Sequence, residues 1–355
     1  MHCGNYSEMD HKQTSPDASP DALIPWTGKG MDLEFKAGLV SVIIPAFNRA
    51  DLIAETLDSI WNQTWRPIEV LIMDDGSTDD TAGAVERWRR DHSSDPSFLL
   101  HYRKLEHRGA PAARNDGLLQ SQGEFIQFLD SDDVLHPDKL TLQGNVLQSD
   151  PKLDFVWSAS AFFEREPDYS APPYCGFPRE PLPGDRLDGP FWHTSGGLYR
   201  RRLCAAIGPW DEALHRDQDW EYSIRLCALQ PAVHHMPGTL SLTRRNHEGR
   251  INDLAHKVDG IRWGLLATDK AADVLRAKHM NSPAVESGIA RRYFRFAKNA
   301  LQHNRDELWD EAMNKASDCA ADGRLRMKLR ALQGLRRVAG KGALRRVMAR
   351  KYEEL

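Results

Sequence analysis

The stretch LVSVIIPAFNRADLIAETLDSIWNQTWRPIEVLIMDDGS (residues 39–77) decides the fold. It opens on a continuous β-branched run, Leu39 to Pro45, of the kind that is covered on both faces of a sheet. Leu52, Ile53, Thr56, Leu57, Ile60 and Trp61 then fall at helical spacing. A second apolar run, Ile68 to Met73, stops abruptly at Asp74-Asp75. Strand, helix, strand within forty residues is the signature of a βαβ unit.

The alternation continues outward. STDDTAGAVERW leads into a helix with Ala84, Val85 and Trp88 on one face. FLLHYRKL is a third strand, APAARNDGLLQS a helix and EFIQFL a fourth strand. Pro137 opens a further helix, and DFVWSAS is a fifth strand. This pattern predicts an α/β fold, a mostly parallel sheet with helices on both faces. Right-handed crossovers put the strand C-terminal ends on one edge, where ligands bind. Both acidic stops, Asp74-Asp75 and Asp130-Ser131-Asp132-Asp133, fall on that edge, as do Asn48 and Arg49.

The rest of the chain is less regular. Residues 166–188 are Pro-rich and read as a mobile surface loop. Order resumes at GPFWHTSGGLYRRRLC and in the helix of RDQDWEYSIRLCAL, and NHEGRIND reads as a loop. Beyond it the pattern is helical, with Leu254, Val258, Ile261 and Leu265 as an apolar stripe. The expected organisation is a disordered tail over 1–38, an α/β domain over 39–252 and a helical region over 253–355. Eleven Lys or Arg and no acid lie between Arg324 and Lys351. Leu325, Leu329, Leu332, Leu335 and Val338 could form an apolar face there. Two readings stand side by side: a solvated helical tail, or a helix lying on anionic lipid or an acidic partner. Gly334, Gly340 and Gly342 weaken a continuous helix.

Bulk properties narrow the classes. Net charge is −4, so nothing draws the chain toward nucleic acid. Five cysteines are scattered without zinc spacing or a disulfide framework, which points to a reducing cytoplasm. No run reaches the roughly 18 apolar residues of a membrane span, and the first residues lack the apolar segment of a secretory signal. G-x-G-x-x-G does not follow the first strand, and TGKGMD lacks P-loop spacing.

The carboxylates of FLDSDD (128–133) repel one another unless a cation joins them. Hard divalent ions take such oxygen ligands, Mg²⁺ keeping one or two protein carboxylates plus phosphate oxygens. A turn would let Asp130 and Asp132 converge. The plainer alternative is a solvated acidic turn. Asp79 and Asp80 read as helix caps, and Asp74 as a residue that holds its turn.

Taken in order, VSVIIPAFNRADLIAETLDSIWNQT, IEVLIMDDGSTDDT, GAPAARNDGL, GEFIQFLDSDD and DQDWEYSIRL resemble the motifs of family 2 of the glycosyltransferases. The likeness runs from about Leu39 to Asn252. It implies the GT-A type of Rossmann-like fold, a nucleotide-sugar donor, usually a UDP-sugar, and an Mg²⁺ or Mn²⁺ ion. It implies that Pro45, Ala46 and Asn48 meet the nucleotide, that Asp75 bonds the base and that Arg114 contacts donor phosphate or nucleotide. Asp130 would face the ribose or metal, Asp132 would bind the metal, and Asp219 would be the catalytic base. Asp217 is the other acid near that position, and Asp219 keeps the family's spacing to Trp220 and Arg225-Leu226. His107 stands where the family often has Asn, and Gln218 where it often has Glu.

Further candidates are graded against plainer roles. Gly196 and Gly197 would let backbone approach a ligand or simply make a tight turn. Trp192 and Trp220 could stack on a sugar ring, whereas Trp61 and Trp88 read as core. Arg244, Arg245 and His247 could close over a diphosphate, while His234 and His235 face opposite ways and read as no metal site. The expected activity is inverting transfer to a glycan or lipid-linked acceptor in surface polysaccharide or glycolipid synthesis, by a cytoplasmic protein that touches the membrane peripherally through 324–351. A sugar nucleotidyltransferase and a catalytically silent scaffold are the alternatives.

Overall fold

A computed structural model of the chain describes residues 34–92, 95–177, 187, 191–245 and 258–351. The expected N-terminal tail, His247 and Leu254 lie outside these residues. Strands β1 (Lys36–Ala46), β2 (Ile68–Asp74), β3 (Phe98–Lys104) and β4 (Gly123–Phe128) pair in parallel in the order β3-β2-β1-β4. The helices between them are α1 (Ile53–Trp61), α2 (Thr81–Asp91) and α3 (Ala110–Gln120). Each forms for a local reason. In α1, Ile53, Thr56, Leu57 and Ile60 are buried at helical spacing. In α3, Gly109 precedes the helix with φ of 95°, and Pro111 sits in its first turn.

The second half of the sheet departs from the expected pattern. After β5 (Val134–Leu135) and α4 (Lys139–Ser149) come β6 (Phe155–Phe163), β7 (Pro173–Cys175), β8 (Gly197–Arg200), α5 (Arg201–Ile207), α6 (Gln218–Ala228) and β9 (Val233–Arg244). Among the described residues the sheet has nine strands in the order β3-β2-β1-β4-β8-β6-β9-β5, with β7 on β6. β8 runs antiparallel to both β4 and β6, so β6 and its parallel partner β9 point the same way as β1 to β4. β5 and β7 are also reversed. The sheet is therefore mixed and mostly parallel, and the ligand edge continues across it. Part of the Pro-rich segment read as a loop forms β7.

Helices α7 (Val258–Ala277), α8 (Pro283–Gln302), α9 (Asp306–Cys319) and α10 (Gly323–Lys351) follow. One apolar core runs from Ile43 and Phe128 in the sheet through Trp220 in α6 to Phe296, Trp309 and Leu344. Burying each such side chain is worth about 1.5–3 kcal/mol, so this core fastens the helical region to the sheet. The apolar stripe of α10 is part of it: Leu325, Leu329 and Leu332 are buried. This corrects the expectation of a lipid-facing stripe. Only Val338, 90% exposed, and Met327, 68% exposed, face outward as large apolar groups on this helix. Gly340, at φ 75°, breaks its helical geometry. Among the described residues no helix is long and apolar enough to cross a membrane.

Candidate active site

The first acidic stop is held by neutral donors. Asp74 is buried and accepts from the Ser77 amide at 2.6 Å and from the Tyr102 hydroxyl. Its expected role of holding the turn is what the structure places there. Asp75, also buried, accepts from the Arg108 amide at 2.7 Å and the Gly109 amide at 2.8 Å. Its own amide donates to the Ala46 carbonyl at 2.8 Å, tying β2 to the end of β1. Pro45 and Ala46 are buried beneath this edge. Asn48, at φ 53°, donates its amide to Ser77 Oγ at 2.8 Å and accepts from the Thr78 amide at 2.8 Å. Asp79 takes the Thr81 amide at 3.0 Å, whereas Asp80 stands at the start of α2 without a side-chain capping bond and pairs with Arg87.

Above Asp75 two rings stand in the open. Phe47, 38% exposed, stacks on His107 with ring centres 4.5 Å apart. His107 Nδ1 lies 2.9 Å from both the backbone carbonyl and Oδ2 of Asp75. Phe47 was missed in the sequence, although an aromatic residue directly after a strand end on the ligand edge was a usable signal.

The second acidic stop is a turn, closed by the Asp133 amide donating to the Asp130 carbonyl at 3.1 Å. It brings Asp130 back against Asp133 rather than against Asp132. Ligand atoms of Asp130, Asp133 and His193 lie within 4.8 Å of one another, the one such group among the described residues. Asp132, expected to bind the metal, faces Arg49 at 4.0 Å and is not in this group. Asp133 caps no helix: it is buried, accepts from Ser195 Oγ at 3.1 Å and the Arg244 amide at 3.2 Å, and lies 3.4 Å from His193. Burial, then repulsion from Asp132 and Asp130, holds its carboxyl well above the usual range. Burial also opposes ionisation of Asp130, but Arg114, His193 and Arg49 outweigh it and hold that carboxyl below the usual range. Two carboxylates and an imidazole, crowded and of excess negative charge, form a donor set that fits Mg²⁺ or Mn²⁺.

Arg114 links this turn to α6. Buried, it donates to Asp130 at 2.7 Å and to Gln218 Oε1 at 2.8 Å, and its guanidinium lies 4.6 Å over the Trp210 ring. Asp219 follows in the first turn of α6, where the helix dipole favours a carboxylate. The neighbouring acid is differently occupied. Asp217, at φ 57°, lies 2.8 Å from Arg292 and 3.6 Å from Arg216. Burial opposes its ionisation, but Arg292, Arg216 and Arg295 hold its carboxyl below the usual range.

Several candidates take plainer roles. Gly196 and Gly197 are buried, and a Cβ on Gly197 would come within 2.4 Å of the Phe155 ring, on Gly196 within 3.1 Å of the Ser158 carbonyl. Their smallness serves packing against β6. Trp192 and Trp220 are core residues, and Trp220 donates to the Leu187 carbonyl at 3.0 Å. Trp88 is buried and Trp61 packs edge-on against it, as expected. Arg244 is buried and paired with Glu55, and Arg245 lies 3.4 Å over the Phe162 ring, so neither reaches outward over the acidic turn here. His235 bonds the Gly176 carbonyl at 3.1 Å.

A parallel nucleotide-type sheet with a paired-acid turn on its C-terminal edge defines a GT-A glycosyltransferase fold, and the comparisons agree. Residues 41–208 match the model of the family described as Glycosyl transferase family 2, and over this segment the chain is similar to that family. It is 40% identical over 96 residues to the GalNAc(5)-diNAcBac-PP-undecaprenol beta-1,3-glucosyltransferase of Campylobacter jejuni, covering 27% of this chain and 30% of that one. It is 36% identical over 120 residues to the Escherichia coli UDP-Glc:alpha-D-GlcNAc-diphosphoundecaprenol beta-1,3-glucosyltransferase WfaP, covering 34% and 45%. The chain thus spans less than half the length of either curated relative. In fold it is similar to residues 1–349 of Staphylococcus aureus TarS, solved in complex with UDP, with a TM-score of 0.62, 17% identity, and 89% and 93% of the two chains covered.

Proposed function

We propose that the chain moves a sugar from a nucleoside-diphosphate donor, with uracil as its base, to an acceptor hydroxyl with inversion at the anomeric carbon. The observation that carries this is the Arg114 brace, which joins the acidic turn at Asp130 to Gln218, next to Asp219. Donor and acceptor chemistry then share one pocket edge.

Each residue's task follows from its surroundings. The oxygens of Asp75 keep lone pairs beyond those taken by the two amides, and one can accept the N3–H of uracil. Phe47 and His107 flank the base. Asp130, Asp133 and His193 would hold the divalent cation, with Asp132 beside them as the further carboxylate of the turn; such an ion when bound neutralises charge building on the departing diphosphate. Asp219 takes the proton of the attacking hydroxyl, a transfer a placed carboxylate can promote about 10²–10⁴-fold. Attack from the face opposite the diphosphate inverts the centre. The names of the two curated relatives support a lipid-diphosphate-linked sugar as acceptor. Contact with an anionic membrane falls to outward basic side chains such as Arg324, Lys328, Arg330 and Arg337, since the apolar stripe of α10 is buried. A panel of nucleotide sugars, assayed for nucleoside-diphosphate release with and without EDTA, tests the proposal. Metal-dependent release from one donor is the expected result; no release from any donor, with pyrophosphate formed instead from a nucleoside triphosphate and a sugar 1-phosphate, would point to a nucleotidyltransferase.

A further inference from the structure

Helices α6 and α8 enclose a cavity of about 270 Å³ whose wall includes Asp219. Three guanidinium groups converge in it: those of Arg216, Arg292 and Arg295 lie 5.9, 5.6 and 5.5 Å from the centre of the Phe296 ring. Asp217 lies 2.8 Å from Arg292 and 3.6 Å from Arg216, and its charge acts on Arg295 as well. Arg292 is a fixed wall, fully buried and lying 3.5 Å over the Trp220 ring. Burial lowers its pKa to about 10, and repulsion from Arg295 pulls in the same direction against the carboxylates of Asp217 and Asp219. Like charges are thus gathered where the fold could have separated them.

The same geometry argues against a neutral sugar as occupant. A sugar ring stacks on an open aromatic face, yet both Trp220 and Phe296 lie buried behind guanidinium groups. Planar guanidinium forks instead match phosphate oxygens in pairs. We infer that this cavity is the acceptor subsite, in which Arg216 and Arg295 hold a phosphate borne by the acceptor beside the carboxylate of Asp219. This rests on the transferase proposal above. It gives α8, outside the segment matched by the family model, a direct part in choosing the acceptor.

The test uses the full chain with its donor site saturated by UDP and Mg²⁺, into which inorganic phosphate is titrated by calorimetry. Saturable binding is expected, weakened about fivefold or more in Arg295→Gln and in Arg216→Gln, and unchanged in Arg90→Gln on the exposed face of α2. Should one pocket variant fail to fold, the other carries the comparison. Absence of binding to the wild type, or equal binding by all variants, overturns the subsite. Methyl phosphate and a polyprenyl phosphate in detergent micelles then separate the sources: tighter Arg295-dependent binding of the second assigns the phosphate to a lipid carrier, and of the first to a soluble glycan. Donor hydrolysis by the wild type is read in the same preparation. Its absence sinks the transferase proposal, whereas hydrolysis without Arg295-dependent phosphate binding sinks the subsite alone.

Discussion

Asp74-Asp75 and Asp130–Asp133 end neighbouring stretches of the same sheet edge, and they are neutralised in opposite ways. The first pair receives backbone amides and a tyrosine hydroxyl across its four oxygens, with the His107 ring 2.9 Å from one of them. The second group is surrounded by charged groups: Arg114 and His193 at Asp130, Arg49 at Asp132, and two other acids at Asp133. An acid with fixed neutral donors holds its turn, so its loss costs stability, as at Asp74, while Asp75 adds the proposed contact to the base. Acids crowded to excess negative charge are built to receive a cation, so their loss costs function.

The sharpest way to break this contrast is at Asp130. Asp130→Ala should lower sugar transfer by about 10³-fold through lost charge stabilisation, and wild-type transfer by the variant would end the contrast. Asp217 sharpens it next, as an acid that guanidinium groups do match. Asp217→Asn should cost about 3 kcal/mol in urea unfolding at pH 7, because Arg292 is left buried beside an uncharged amide. The sign follows from a folded-state pKa below the unfolded one: this stability is present above about pH 4 and drains as pH falls through the depressed value. The gap between wild type and variant should therefore close in acid; a gap constant with pH would contradict the pairing. At the first stop, Asp74→Ala should cost about 2 kcal/mol, with metal-independent unfolding, since the Ser77 amide loses its acceptor. The smallest effect has the opposite sign. Asp133→Asn should raise the melting temperature of metal-free protein by about 2 °C as repulsion is relieved, and should blunt stabilisation by Mn²⁺. A lower melting temperature would place Asp133 with the structural acids.

The parallel half of the sheet was legible because its strands are long β-branched runs and its helices have clean apolar faces. β8 is four residues long, and β9 carries Pro237 and Gly238 within it, so neither stood out by periodicity. The buried role of Asp133 was invisible for a different reason. Its partners Ser195 and Arg244 lie 62 and 111 residues away, and only the antiparallel return of the chain brings them in. His193 entered the acidic cluster by the same route. At Gly197 the ring of Phe155 by itself requires a small residue, a requirement that in sequence looks like one set by a ligand.

The account stands or falls on whether the acidic turn and Asp219 act as one site. Nucleoside-diphosphate release from the donor found in the nucleotide-sugar panel should be measured for wild type and Asp219→Asn, each with Mn²⁺ and with EDTA. The account predicts metal-dependent release by the wild type and a loss of about 10²-fold or more in Asp219→Asn that Mn²⁺ does not restore. Equal release by both proteins, or release indifferent to EDTA, would contradict it.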